Sequence, residues 1–291
     1  MFPDYTQIKL QTLKTSWLSS AGVEAAILRL DLLHPEISGN KWFKLKYNIE
    51  AALQQQKDTL LTFGGNRSNH IAATSAAAPK FGLKSIGIIR GAASKNLTLE
   101  RAQQHGMELK YISRTEYRKR NRPSFIKDIQ TAYPQAYIIP EGGNNNLGIK
   151  GAEEILELCT ASKFSHICCP VGTGSTLAGI ISRTNHNQQV LGFCALKKAN
   201  EQRAMVSNYV RSYFTHGNWE ITTDYSLGGF AKKTQVLEKF IQDFKAECHI
   251  PLDFIYNAKM IWGIKDFIQN GHFPPGSKIL IIHTGGLQGN L

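Results

Sequence analysis

The sequence predicts an α/β protein in which helices cover largely parallel sheets. From residue 40 onward, short apolar runs alternate with longer segments of helical period, the pattern of successive strand–helix–strand units. Glycine clusters follow several of those runs, at Gly64-Gly65, Gly142-Gly143, Gly172-Thr173-Gly174 and Gly285-Gly286, and open parallel sheets bind ligands where strands end. The hydrophobic fraction of 42% and charged fraction of 19% over 291 residues describe an ordinary globular chain, one large domain or two small ones.

The elements follow in order. Leu45, Ile49, Ala52 and Leu53 fall at i, i+4, i+7 and i+8, so a helix with one apolar stripe starts near residue 40. Ser38 or Asn40 can cap it. Residues 59–63 form a strand, an alanine-rich helix runs to Phe81 with Gly82 as its stop, and 84–90 form the next strand. Helices over 97–104 and 123–131 flank a strand at 108–112, and 137–139 is a strand entering Pro140-Glu141-Gly142-Gly143. A helix covers 148–159, a strand 166–171 and a helix about 175–183. A strand at 190–196, a helix through Met205, a strand at 219–224 and helices over 233–246 and 259–269 follow. The strand 278–282 meets His283-Thr284-Gly285-Gly286.

Lys41 would lie in the first turn of its helix, where the macrodipole is positive and a cation is disfavoured. That misfit lowers a lysine's pKa and makes a better amine nucleophile. A surface lysine whose stem covers Trp42 is the ordinary alternative for any single lysine.

Composition excludes several classes. No apolar run approaches the length of a membrane helix, and the start, Met1-Phe2-Pro3-Asp4-Tyr5, lacks the basic and apolar regions of a signal peptide; a cytoplasmic enzyme without a membrane partner is expected. The five cysteines form no Cys-x-x-Cys pair, and Cys168 and Cys169 read as buried strand residues in a reducing compartment. The net charge of +12 is concentrated partly in residues 114–122, RTEYRKRNR. No nucleic-acid-binding signature accompanies that run, so a solvated loop and helix end is expected, with no nucleic-acid partner.

Gly172-Thr173-Gly174-Ser175-Thr176 joins a strand to a helix, and its glycines, hydroxyls and helix start suit a phosphate. It is neither a P-loop nor a dinucleotide fingerprint. Ser68-Asn69-His70 places a hydroxyl, an amide and an imidazole at another helix start. No Gly-x-Ser-x-Gly elbow is present, and His70 and His283 lack further metal ligands at useful spacing, so no metal is expected. A lysine at one helix start and a phosphate cradle without magnesium ligands together suggest pyridoxal 5'-phosphate.

With Gly39-Asn40-Lys41, Lys44-Leu45, Gly64-Gly65, Ser68-Asn69-His70, Glu141-Gly142-Gly143, Gly172-Thr173-Gly174 and His283-Thr284-Gly285-Gly286 in this order, the chain resembles the 1-aminocyclopropane-1-carboxylate deaminases and D-cysteine desulfhydrases. The resemblance implies the tryptophan synthase β-like fold (fold type II) and a homodimer. It also implies a discontinuous large domain, 1–47 with 147–291, and a small domain, 48–146. It makes Lys41 the Schiff-base lysine, puts Asn69 on the cofactor's phenolic oxygen, and puts Gly172, Thr173, Gly174, Ser175 and Thr176 on its phosphate. Ser68 meets the substrate carboxylate, with Asn69 and His70 beside it, and Tyr256 matches an active-site tyrosine. Thr284 follows the desulfhydrase pattern, in which a hydroxyl meets the pyridine nitrogen. The deaminases carry Glu after the tyrosine and Leu in the last loop, where this chain has Asn257 and Thr284. A second family tyrosine is replaced near Phe230, and Ser175 stands where a Gly-Gly pair is usual.

The expected activity is α,β-elimination on a small amino acid, D-cysteine giving pyruvate, ammonia and sulfide. Cyclopropane ring opening to 2-oxobutyrate and ammonia is the alternative. A non-catalytic cofactor- or nucleic-acid-binding protein is a further one, suggested by the basic run and by Phe230 and Asn257.

Overall fold

The computed structural model describes residues 3–213 and 218–290. Its strands are β1 Leu10–Thr12, β2 Glu24–Arg29, β3 Thr59–Gly64, β4 Lys84–Arg90, β5 Met107–Ile112, β6 Ala136–Ile139, β7 His166–Val171, β8 Gln189–Cys194, β9 Asn218–Thr222 and β10 Lys278–His283. The helices are α1 Ser16–Ser19, α2 Asn40–Gln54, α3 Asn69–Ala77, α4 Leu97–Gln104, α5 Arg114–Tyr117 and α6 Pro123–Ala132. They continue with α7 Asn146–Glu153, α8 Ser175–Ser182, α9 Asn200–Tyr213, α10 Gln235–Cys248 and α11 Asn257–Gln269. The chain forms two compact units, one made of Met1–Asn40 with Ala152–Asn290 and the other of Lys41–Gly151.

The first unit holds a 6-stranded sheet in the order β1-β2-β10-β7-β8-β9. Only β1 with β2 is antiparallel among these pairs; β10 runs parallel to both β2 and β7. β2 reads Glu-Ala-Ala-Ile-Leu-Arg, and all but its first residue are buried. Alanine favours helices in isolation, so the ladders to β1 and β10, rather than local preference, make this segment a strand. One face packs under α11, where Met260, Ile261, Ile264 and Phe267 meet Ile27, Cys168, Phe193 and Ile281 in one apolar core. Cys168 and Cys169 are buried strand residues, and burial pushes the Cys168 thiol well up.

The second unit holds a 4-stranded parallel sheet in the order β5-β4-β3-β6. α6 covers one face, with Phe125, Ile126 and Ile129 against Leu61, Phe63 and Ile88. On the other, Ile71 of α3 and Leu99 and Ala102 of α4 pack with Ile89 and Met107. The N-terminal part of α2 is held by Trp42, which is buried and stacks on Phe81 with ring centroids 6.1 Å apart.

Local departures from the expected elements have simple causes. α11 begins at Asn257 rather than 259, because Asp253 accepts from the backbone N–H groups of Ile255, Tyr256 and Asn257. Residues 154–158 tighten into a 3-10 turn, and α9 continues past Met205 to Tyr213. The basic run is partly consumed inside its own unit. Tyr117 is buried and donates to Glu141 Oε1 at 2.8 Å, and Arg120 pairs with Glu141 Oε2 at 2.7 Å. Arg114, Arg118, Lys119 and Arg122 stay exposed. Among the described residues no helix is long and apolar enough to cross a membrane.

Candidate active site

In the first unit, four of the singled-out motifs converge through hydrogen bonds. Gly39 adopts φ +67°, and a Cβ there would lie 1.9 Å from the Thr284 carbonyl oxygen. Glycine is required on both counts. That approach lets the Asn40 N–H donate to Thr284 O at 3.3 Å. The Asn40 side chain then donates from Nδ2 to Thr176 Oγ1 at 2.9 Å. The residue preceding Lys41 is thus tied both to the 172–176 loop and to the loop after β10.

The 172–176 loop closes the end of β7 and opens α8. Gly174 caps the helix with φ +99° and no side-chain hydrogen bond, and Ser175 and Thr176 are buried in its first turn. A Cβ on Gly174 would stand 2.5 Å from Met205 Cε on α9, so the turn lies tight under that helix. The helix start carries the positive end of the macrodipole. Thr173 Oγ1 and Ser175 Oγ are 3.3 Å apart. A Cβ on Gly172 would come within 3.2 Å of the Tyr256 hydroxyl, so the backbone leaves a cradle bordered by that ring. Glycine backbone, clustered hydroxyls and a helix start not capped by a side chain fit a phosphate group.

Asn257, which follows Tyr256, is fully buried and turns inward. Its Nδ2 donates to Asp253 Oδ1 at 2.6 Å and to Gly285 O at 2.9 Å. Its Oδ1 accepts from Thr284 N at 3.0 Å and lies 3.4 Å from Thr284 Oγ1. The amide cannot flip without losing these contacts, so it fixes the Thr284 backbone and orients its hydroxyl. Burial raises the pKa of the Asp253 carboxyl, opposed by the N–H groups of Asn257 and Tyr256 that favour the anion. His283 Nε2 donates to Pro251 O at 2.8 Å while Nδ1 accepts from Gly285 N at 3.2 Å. Both ring nitrogens therefore serve the loop.

The second unit gathers the remaining candidates. Ser68 caps α3 by accepting from Ile71 N at 3.3 Å, and it and Asn69 are half-buried. His70 is only 1% exposed, and neither ring nitrogen has a hydrogen-bond partner. Burial, and then the charges of Lys41 and Lys44, hold its pKa well below the usual histidine value, so the ring is neutral. Lys41 lies half-buried in the first turn of α2. One turn on, buried Lys44 donates from Nζ to Gly142 O at 3.0 Å. The 141–146 segment is also held to α2 by paired amides, with Asn145 Nδ2 donating to Asn48 Oδ1 at 2.7 Å and Asn48 Nδ2 to Asn145 Oδ1 at 3.2 Å. A neutral imidazole with unused nitrogens at a helix start, in the field of Lys41 and Lys44, is chemistry suited to a carboxylate.

The sequence did not announce Asp253 as the acceptor for the backbone N–H groups that lead into α11, or Asn48 as the anchor of the 141–146 segment. Of the two expected caps of α2, Ser38 or Asn40, the Asn40 side chain also reaches Thr176, a link between segments that the sequence did not announce. The Asp253-to-Asn257 spacing of one helical turn was the available signal for the first of these.

The sequence pattern of the family described as pyridoxal-phosphate dependent enzyme matches residues 6–285. The chain therefore belongs to the pyridoxal-phosphate dependent enzymes, and within them to the family of 1-aminocyclopropane-1-carboxylate deaminases and D-cysteine desulfhydrases. A putative 1-aminocyclopropane-1-carboxylate deaminase of Pyrococcus horikoshii is 29% identical over 92% of this chain and 86% of its own. A bifunctional mitochondrial D-cysteine desulfhydrase/1-aminocyclopropane-1-carboxylate deaminase of Arabidopsis thaliana is 30% identical over 92% of this chain and 73% of its own. The crystal structure of an ACC deaminase homologue superposes with a TM-score of 0.85 at 26% identity, covering 98% of this chain and 91% of that one. The fold is that of the fold type II enzymes.

Proposed function

We propose that this chain catalyses α,β-elimination on a small amino acid, with D-cysteine and water giving pyruvate, ammonia and hydrogen sulfide. One observation carries the choice within the family. The side chain in the loop after β10 is a hydroxyl, Thr284 Oγ1, and the neighbouring Asn257 is spent on holding it. A hydroxyl at a pyridine nitrogen protonates the ring less than a carboxylate, which suits a substrate whose β-substituent leaves readily.

Pyridoxal phosphate, when bound, supplies an aldehyde carbon for an amine and a ring that takes up negative charge from a substrate's α-carbon. The residues suited to hold it are Gly172, Thr173, Gly174, Ser175 and Thr176 for the phosphate, Asn69 for the phenolic oxygen, Thr284 for the ring nitrogen and Lys41 for the aldehyde. Lys41, once its amine is released, moves the proton at the substrate α-carbon. The N–H of neutral His70, the Ser68 hydroxyl and the start of α3 bind and orient the carboxylate. Tyr256 lies beside the phosphate loop, against Gly172, and contacts the substrate side chain. The Cα–H and Cβ–S bonds break and the sulfur leaves with a proton; the Cα–N bond then breaks as water supplies the carbonyl oxygen of pyruvate and the nitrogen departs as ammonia.

The test is a visible spectrum of the purified protein before and after D-cysteine, with pyruvate and sulfide assayed. A yellow band that changes, with the two products formed in equal amounts, is expected. The names of the Pyrococcus and Arabidopsis relatives favour cyclopropane ring opening as the second reading. Faster release of 2-oxobutyrate from 1-aminocyclopropane-1-carboxylate than of pyruvate from D-cysteine would select it.

A further inference from the structure

In the first unit, α11 carries a lysine with no place in the chemistry above. Lys259 is 2% exposed, and its Nζ donates to the carbonyl oxygens of Ser226 and Gly229, each at 2.7 Å. A buried ammonium is costly unless it is fully hydrogen-bonded, so its placement calls for a task. The segment it grips is conformationally unusual. Leu227, Gly228, Gly229 and Ala231 all have positive φ, at 45°, 91°, 105° and 55°, and two of them are not glycine. Backbone bonds from Gly229 N to Ser226 O and from Lys232 N to Gly229 O tighten it further.

The residue this segment presents is Phe230. It is 40% exposed, and its ring stands edge-on to Tyr256, with centroids 5.9 Å apart and planes at 68°. Tyr256 in turn borders Gly172. A chain of contacts thus runs from the Lys259 ammonium through Gly229 to Phe230, Tyr256 and the 172–176 loop, all within one unit.

We infer that Lys259 is a positioning residue for substrate selection: it clamps residues 226–231 so that Phe230 forms an apolar wall beside Tyr256, favouring amino acids whose β-substituent is a thioether over those with a free thiol. The inference rests on the elimination reading for its choice of substrates. S-methyl-D-cysteine and water would give pyruvate, ammonia and methanethiol, with the Cα–H, Cβ–S and Cα–N bonds broken, the thiolate protonated, water's oxygen replacing the nitrogen and no oxidant needed.

The test compares kcat/KM for S-methyl-D-cysteine and D-cysteine in the holoenzyme of wild type, Phe230→Tyr and Lys259→Met. The expected wild-type ratio is on the order of 10 in favour of the thioether, the discrimination one methyl group gives in an apolar pocket. Phe230→Tyr, at a half-open position that leaves the core untouched, should bring the ratio near 1. Lys259→Met should do the same, and Lys259→Gln, which keeps N–H donors, should recover part of it. A merely structural role would lower both substrates' kcat/KM together and leave the ratio fixed. A wild-type preference for D-cysteine, or a ratio that none of the variants moves, overturns the proposal. If the holoenzyme turns over neither amino acid, the elimination reading fails. The clamp then stands or falls on the two dissociation constants measured by calorimetry, with the same ratios expected.

Discussion

The two clusters of candidate residues are built on opposite terms. In the first unit, the polar groups around Thr284 are answered by protein. Asn257 uses both ends of its amide, Asp253 accepts from three backbone N–H groups and the Asn257 side chain, and both nitrogens of His283 are engaged. In the second unit, His70 is buried with neither ring nitrogen bonded, under the field of Lys41 and Lys44. Satisfied networks fix geometry, whereas a buried polar group left open costs stability unless a ligand completes it. The first cluster is therefore a scaffold, set before anything binds. The second holds its chemistry in readiness, at a cost to the fold.

The sharpest way to separate the two is to remove the reactive group and leave both folds intact. Lys41→Ala should lower turnover by roughly a thousand-fold or more, the scale of losing a positioned proton-transfer group, and should abolish the covalent part of the cofactor's visible absorbance. Urea unfolding of the cofactor-free protein should barely change, since the Lys41 side chain is only half-buried. Full turnover in this variant would remove Lys41 from the chemistry altogether.

Asn257→Ala attacks the scaffold instead. It leaves the Thr284 N–H and Gly285 carbonyl without their side-chain partner and strips one donor from the buried Asp253 carboxylate. The expected loss is about 3 kcal/mol of unfolding free energy, the scale of orphaning buried polar groups, read from the urea midpoint without cofactor. A loss below about 0.5 kcal/mol, the range of an ordinary surface change, would show that the network is incidental.

The fold is unevenly legible along the chain. The parallel strands of both sheets announced themselves, because runs such as Lys278 to His283 are apolar, β-branched and followed by glycine. β1 and β2 did not: a stretch containing Glu24-Ala25-Ala26 has no local strand preference, and its identity comes from ladders to β1 nearby and to β10 more than 250 residues away in sequence, as in Lys278 against Glu24. The site divides similarly. Lys41, Ser68, the 172–176 loop and Thr284 were legible because glycines, hydroxyls and helix starts mark such places in one dimension. Asn40 reaching Thr176, Asn257 holding Thr284 and Lys259 holding residues 226–231 were not, since each joins segments that only folding brings together.

Acidity tests the contrast from the other side, and the two clusters answer with opposite signs. The folded-state pKa of His70 lies well below the ordinary 6.5, through burial first and the Lys41 and Lys44 charges next. Between the folded and unfolded values the unfolded chain binds the extra proton. Stability from this group is thus fully present above pH 6.5 and falls as pH drops below it, by up to about 1.4 kcal/mol per pH unit. Asp253 works the other way: burial raises its carboxyl above the ordinary 3.8, so its protonation in the fold favours the folded state as pH falls. Subtracting a variant isolates the histidine. In the cofactor-free protein, His70→Gln should flatten the decline in urea midpoint between pH 7 and pH 5 and gain stability over wild type at the acid end. The gain arises because a glutamine has no charged form to exclude. Parallel pH profiles for the two proteins would mean that the imidazole is not held neutral by the fold, and the second cluster would lose the feature that distinguishes it from the first.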